Sequence, residues 1–312
     1  MDPTSSNLQI YFTGLSTVFQ EGYTNTPPWW SQVAMELPST TELSTYGWMD
    51  KLPAARQWIG PRQVNAIATR NRSVVNLDWE DSVGIPRNAF LDDQYGLYTY
   101  TSKSMGEAAA KLHDQQLAAL MQQNPTAFDG VTFFNSAHPV DIDAGASGPL
   151  GSYSNDLTTS ALNPTNYGAA RAAMRSFIGR DGKPMGSVPS LLAVPPQLEE
   201  TAKQILTADL IAPSSFANGT QVGSNTNIWK GTASFIVIEE LQNQPKVWYM
   251  LDNRSAMKPF LVQKRKEPEF VYLVNPNDAN VFYNKQFVFG WDSRSAYDVV
   301  FPFKAIRCGS GL

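Results

Sequence analysis

Catalysis near neutral pH needs a proton shuttle, an activated nucleophile or a metal, and few residues of this chain offer one. It has one cysteine, Cys308, and two histidines, His113 and His138. Zinc sites of the usual composition are therefore nearly excluded. His138 precedes Pro139, with Asp141 and Asp143 just after. That spacing could gather a metal, but Asp-rich loops ordinarily turn their side chains onto their own backbone. His113 stands among polar neighbours and reads as a solvated or interface histidine. Asp92-Asp93 and Glu199-Glu200 are adjacent pairs, and neighbours in sequence do not face each other on a helix. Gly179-Arg180-Asp181-Gly182-Lys183 lacks the spacing of a phosphate loop, and there is no Gly-x-Ser-x-Gly nucleophile elbow. Lys264-Arg265-Lys266 is offset by Glu267 and Glu269, too small a patch for nucleic acid. Cys308 lies in a tail of small residues with nothing to activate it. No cofactor, no metal and no enzymatic activity are expected. A chain with so little catalytic equipment leans towards binding or structure.

The longest element falls at Leu97–Gln123. From Ser104 onward, Met105, Ala108, Ala109, Leu112, Ala119 and Leu120 share one helical stripe, with Lys111, Asp114 and Gln115 off it. Ser104 and Glu107 have capping-box spacing, and Asn124-Pro125 ends the run. Such a helix of about 20 residues is roughly 30 Å long. Nearer the N terminus, Leu8, Tyr11, Phe12, Leu15, Val18 and Phe19 predict an amphipathic helix closed by Glu21-Gly22. Thr26-Pro27-Pro28-Trp29-Trp30 follows as an extended piece. An arm with this much apolar surface must bury it, by default on its own body, otherwise on a neighbouring chain.

Asn65 to Ile85 has strand character: Val75, Leu77 and Trp79 alternate with Asn76, Asp78 and Glu80, as in a strand with one covered face. Arg56, Arg62, Arg70 and Arg72 lie close in sequence to Asp78, Glu80 and Asp81. They form either a solvated hairpin face or a projecting hairpin whose charges pair with another subunit. Beyond the long helix, Asn163-Pro164 opens a helix with Tyr167, Ala170, Met174 and Phe177 inward. Leu191–Val194 is a buried strand, Pro195-Pro196 starts a helix, and Phe235–Ile238 and Val247–Leu251 are strands. The last part is read as short strands at Phe260–Gln263, Phe270–Val274, Val281–Tyr283, Phe287–Trp291 and Val299–Phe303, with a hairpin turn at Asn284-Lys285.

At 312 residues, with 42% hydrophobic and 17% charged residues, the chain is globular and long enough for a sizeable core. No apolar run reaches the ~18 residues of a membrane span. The start carries no visible secretory signal, and a single cysteine excludes an internal disulfide framework. A net charge of -4 gives no general reason to bind nucleic acid tightly.

Several short motifs occur in a telling order: Ser44-Thr45-Tyr46-Gly47-Trp48 with Trp58-Ile59-Gly60, Val83-Gly84-Ile85-Pro86-Arg87, Phe133-Phe134 through His138-Pro139, Leu191 to Leu206, Trp248-Tyr249-Met250-Leu251-Asp252, Lys258-Pro259-Phe260 and Gln263-Lys264-Arg265-Lys266. Together, over residues 8–295, they resemble the major head (capsid) subunit of phage Mu and Mu-like prophages. The tail, Ala296 to Pro302, departs from the Gly-Tyr-Gly-aromatic run of that family.

The resemblance implies an α+β, HK97-like capsid fold. It would comprise an N-terminal arm (1–44), an extended β-hairpin loop (45–90), a peripheral domain with its long spine helix (91–163), an axial domain (164–251), and return strands with a C-terminal tail (252–312). It implies hexamers and pentamers in an icosahedral virion shell around double-stranded DNA bound without sequence specificity, assembled in the host cytoplasm. Portal, scaffold or decoration proteins would be further partners, and no membrane. Function would then be self-association, with the arm and the hairpin finding their burial on sister copies. Trp29, Trp30, Tyr46, Trp48 and Trp58 are candidate contact anchors, since aromatics often dominate interface energy. Arg62, Arg70, Arg72, Asp78 and Glu80 are candidate pairing charges. Two other classes remain: another virion component such as a tail or decoration protein, and a β-rich carbohydrate-active protein, which would need paired acids about 5–9 Å apart in a cleft.

Overall fold

A computed structural model of the chain describes residues 5–49, 69–92, 96–158, 160–211, 225–275 and 277–309. In the first half, helix α1 (Ser5–Asn25) leads through the short α2 (Trp30–Val33) to strand β1 (Ala34–Pro38). The hairpin strands β2 (Leu43–Met49) and β3 (Thr69–Val75) follow, then β4 (Leu77–Pro86), α3 (Arg87–Leu91) and α4 (Leu97–Gln123). Short strands β5 (His138–Pro139), β6 (Ser152–Tyr153) and β7 (Asp156–Leu157) precede α5 (Pro164–Arg175), β8 (Leu191–Val194) and α6 (Glu199–Thr207). The remainder is β9 (Leu210–Ile211), β10 (Asn225–Thr226), β11 (Ser234–Val237), β12 (Trp248–Leu251), β13 (Phe260–Leu273), α7 (Ala279–Asn284), β14 (Gln286–Val299) and β15 (Ala305–Cys308).

The long helix begins at Leu97, behind a left-handed Gly96, so Ser104 and Glu107 lie inside it and do not form its cap. Its first turns are rich in Thr and Tyr, poor helix formers alone. Packing supplies what propensity lacks: Ser102 Oγ donates to the Leu15 carbonyl at 2.7 Å, and Met105, Ala109 and Leu112 are buried against α1 and the sheet. Two glycines set the crossing. A Cβ on Gly106 would lie 2.1 Å from the Phe19 carbonyl oxygen, and one on Gly22 would lie 2.3 Å from that of Lys103. The backbones meet because neither helix carries a side chain there.

This packing corrects the expectation that the arm buries itself on sister copies. Leu8, Phe12, Leu15 and Phe19 are buried at home, against α4 and Phe287, Phe289 and Trp291 of β14. The helix also runs past Glu21-Gly22 to Asn25.

A four-stranded sheet, ordered β1-β13-β14-β4, lies against α1 and α4. The strands β13 and β14 are 14 residues each, longer than the separate pieces read from the sequence, because the charged Lys264–Glu269 stretch is carried through as register shifts in the ladder. Val281–Tyr283, expected as a strand, belongs to helix α7. Asn284-Lys285 is accordingly no hairpin turn: Lys285 closes the helix in the left-handed region, with φ 51°.

The second sheet, ordered β11-β8-β12-β15-β7, draws its last two strands from outside 164–251. Its central strands β8 and β12 are buried on both faces, which explains their unbroken apolar sequence. As predicted, α5 starts at Asn163-Pro164, where Asn163 Oδ1 accepts the Asn166 N–H at 2.8 Å, and it buries Tyr167, Ala170 and Met174.

Candidate assembly surface

The strands β2 and β3 form a separate two-stranded sheet, paired in register from Leu43↔Val75 to Met49↔Thr69. Asn76 stands at its root, where β3 passes into β4. The expected alternation breaks there: Asn76 is 4% exposed, whereas Val75 and Leu77 are 52% and 54% exposed. The inversion has a cause. Asn76 Nδ2 donates to Ser39 Oγ (3.0 Å) and to the Thr41 carbonyl (2.8 Å), and its Oδ1 accepts from Gln263 Nε2 at 2.7 Å. Gln263 in turn accepts from Tyr46 Oη at 2.6 Å. A buried polar group must be bonded, and satisfying this one turns its apolar neighbours outward.

The hairpin charges find partners at home in part. Arg72 holds Asp298 through both its Nε and Nη2. Arg294 pairs with Asp78 at 3.1 Å. Glu80 is exposed and accepts from Ser82 Oγ at 2.9 Å. Within the chain, Arg72 and Asp78 thus fasten the hairpin and β4 to β14. Trp30 is buried in the core beside Val33, Leu117 and Phe260, with Lys264 Nζ 4.8 Å from its ring centroid. Trp29 is half-buried against the same cluster, and Tyr46 is half-buried at the root. Trp58 and Arg62 lie outside the described residues, as do the side chains of Trp48 and Arg70, whose backbone is in the ladder.

The residues that could have carried chemistry are absorbed by packing. His113, expected solvated or at an interface, is buried, its Nδ1 2.8 Å from Tyr297 Oη, and burial lowers its pKa to about 4. Asp114, read as off the apolar stripe, is buried too. It accepts the backbone N–H groups of Trp29 (3.3 Å) and Trp30 (2.8 Å), and burial raises its pKa to about 6 against the opposing pull of those bonds. His138 faces Asp129 at 2.5 Å, not the two following aspartates. Those two, Asp141 and Asp143, pair with Arg180 at 3.2 and 3.1 Å. No group of three potential metal-ligating side chains occurs among the described residues. Cys308 is buried, and burial pushes its thiol up. No described helix is long and apolar enough to cross a membrane.

Other exposed apolar residues went unnoticed in the sequence. Phe282 and Tyr283 are 71% and 79% exposed on α7, at the far end of the long ribbon. Reading that segment as a strand hid them.

The family model for the Mu-like prophage major head subunit gpT matches residues 8–161, 157–241 and 237–310. The major capsid protein of Escherichia phage Mu is 24% identical over 295 residues, covering 94% of this chain and 70% of that one. The Mu-like prophage FluMu major head subunit of Haemophilus influenzae is 25% identical over 294 residues, with the same coverage. Among solved structures, the procapsid of bacteriophage JBD30 has a TM-score of 0.57 at 22% identity, covering 97% of this chain and 75% of that one. The capsid of cyanophage P-SCSP1u has a TM-score of 0.56 at 13% identity, covering 89% and 86%. These likenesses show an HK97-like capsid fold. A rod-like α4 under a long β13–β14 ribbon, a separately paired hairpin and a family match running almost end to end lead to one conclusion: this chain belongs to the Mu-like prophage major head subunit family.

Proposed function

We propose that the chain is the repeating subunit of an icosahedral phage head, assembling as hexamers and pentamers around double-stranded DNA. The observation that carries this is the family match over residues 8–310. The hairpin supports it. A two-stranded sheet is marginal alone, and this one, with no third strand among the described residues, joins the body through its root, at Tyr46–Gln263 and Arg72–Asp298. Its exposed Leu43 and Val75, cross-strand partners, offer apolar area to a neighbour. A stable contact needs roughly 1,600 Å² buried in total, and a closed shell makes several weaker contacts sufficient through multivalency.

In this reading the divisions are an arm (1–44), a hairpin loop (45–90), a peripheral domain with the spine helix (91–163), an axial domain (164–251) and return strands (252–312). Further partners are a portal and a scaffold or decoration protein, DNA is held without sequence readout, and assembly takes place in the host cytoplasm. Negative-stain microscopy of the purified chain, alone and with the scaffold protein of the same phage, tests the reading. Closed shells are expected. Tubes, rings or persistent monomers in both samples would rule it out.

A further inference from the structure

His138 is wholly buried beside Asp129, their side chains 0% and 2% exposed. Its ring meets acceptors on both sides. Nε2 lies 3.0 Å from the Phe133 carbonyl oxygen and 3.1 Å from Asn155 Oδ1. Other partners fix how that amide points. Asn155 Nδ2 donates to the Phe133 and Pro302 carbonyls at 2.8 and 3.0 Å, and its Oδ1 accepts the Asn135 N–H at 2.8 Å. Exchanging the amide's oxygen and nitrogen would break all of these bonds. Nε2 therefore carries a proton. On the other side, Nδ1 lies 2.5 Å from Asp129 Oδ2, while Asp129 Oδ1 accepts the Val131 N–H at 3.3 Å. Two lone pairs do not meet at that distance, so a proton lies there too. An imidazole with a single proton has one donor for these two sides.

We propose that His138 is held as the imidazolium, protonated on both ring nitrogens, and that the extra proton is a pH-sensitive bolt between the loop after α4 and the second sheet. The joint reaches both. Asp129 and Phe133 belong to the loop, and the Asn155 carbonyl accepts the Arg307 N–H of β15 at 2.9 Å. The carboxylate makes the proton necessary. A neutral imidazole would leave one buried negative charge uncompensated, whereas the imidazolium–carboxylate pair is neutral overall. The proton sits on His138 because an imidazole is a far stronger base than a carboxylate. Around the pair, Tyr153 of β6 stacks on the ring with centroids 5.0 Å apart, and burial pushes its phenol well up, so it stays uncharged. Asp156 and Arg307, beside Asn155, offset each other in an ion pair, and Asp141 and Asp143 are held by Arg180. In the unfolded chain a free imidazole gives up its proton above about pH 6.5. The folded state then holds one proton more, so the bolt's contribution is full below that pH and is lost as pH rises.

The test compares the wild-type chain with Asp129→Asn. The asparagine keeps an oxygen for the Val131 N–H and turns an N–H towards Nδ1, so the network closes around a neutral imidazole. Urea unfolding of the two purified chains from about pH 6.5 to 8.5 reads the difference. The wild-type unfolding constant should rise against that of the variant by about tenfold per pH unit. Parallel curves overturn the inference. Nitrogen NMR of the histidine-labelled wild type at about pH 7.5, where a free imidazole is neutral, reads the proton directly, with His113→Gln separating the two histidine signals. Both ring nitrogens of His138 should be protonated. An Nδ1 without a proton overturns the proposal, and this reading decides alone should Asp129→Asn fail to fold.

Discussion

At the residue scale, His113 and Asp114 are neighbours whose proton affinities move in opposite directions for the same reason, burial on α4. Asp114 is raised from 3.8 to about 6. Between those values the folded state holds a proton that the unfolded state has released. Its contribution is full below 3.8 and is lost as pH rises through 6. His113 is lowered from 6.5 to about 4, so the unfolded state takes up the proton first and stability is lost as pH falls through that window. Each tilt is about 3 kcal/mol, at about 1.4 kcal/mol per pH unit. In the wild type they oppose one another, with Lys264 and Glu267 also acting on His113, and Glu240 and Lys111 on Asp114. Asp114→Asn should leave stability rising from pH 4 to 6.5, and His113→Gln should leave it falling from pH 3.8 to 6. Urea midpoints measured across that range check this; parallel curves for the two variants would refute it.

Glycines give a second residue-scale contrast. Gly106→Val puts a branched side chain against the Phe19 carbonyl and should cost about 3 kcal/mol by forcing α1 off α4. Gly14 has open space at its Cβ position, so Gly14→Ala should stabilise the helix by about 0.5–1 kcal/mol. Thermal unfolding of both variants would show opposite signs. Equal shifts would mean that the crossing is not the tight contact described.

At the scale of elements, the hairpin is held by its root. Arg72→Ala leaves Asp298 without its guanidinium partner, and loss of one member of a partly buried pair costs about 3 kcal/mol. The expected signature is local: faster hydrogen exchange in β2 and β3 with α5 and β8 unchanged. Arg72→Met with Asp298→Leu should recover most of the loss, because no charge is then left uncompensated. A double variant no more stable than the single one would show that the ion pair is not what fastens the hairpin. The alternating pattern of Val75, Leu77 and Trp79 was legible in the sequence. The break in it was not: Val75 and Leu77 turn outward because Asn76 takes the inward position through partners at Ser39, Thr41 and Gln263, distant in sequence, whereas Trp79 packs inward.

At the scale of the whole molecule, the proposed shell requires the hairpin to reach beyond its own body. Trp48→Ala together with Trp58→Ala should leave soluble, folded subunits that do not close into shells. Light scattering and microscopy at matched concentration check this, and wild-type yields of intact particles would remove both tryptophans from the contact. By contrast, Trp30→Ala should unfold the subunit before it affects assembly, at a cost of about 3–5 kcal/mol, since Trp30 fills the core under α4.

Taken alone, the sequence determined the elements whose signals are local. The amphipathic period of Leu8 to Phe19, the Asn163-Pro164 start of α5, the apolar run of β8 and the Asn124-Pro125 stop of α4 each depend on residues within a few positions. The ordered motifs from Ser44 to Lys266 likewise pointed to the family without coordinates. Only the tertiary structure decided which apolar faces are closed at home. It seated α1 through Gly22 and Gly106, sank Trp30, His113 and Asp114 into the core, fastened Arg72 to Asp298 and turned Val281–Tyr283 into a helix. The physical reason is common to all of these. Burial is not a property of a side chain but of what packs against it, and here the packing partner is more than a hundred residues away in Arg72–Asp298 and in His113–Tyr297.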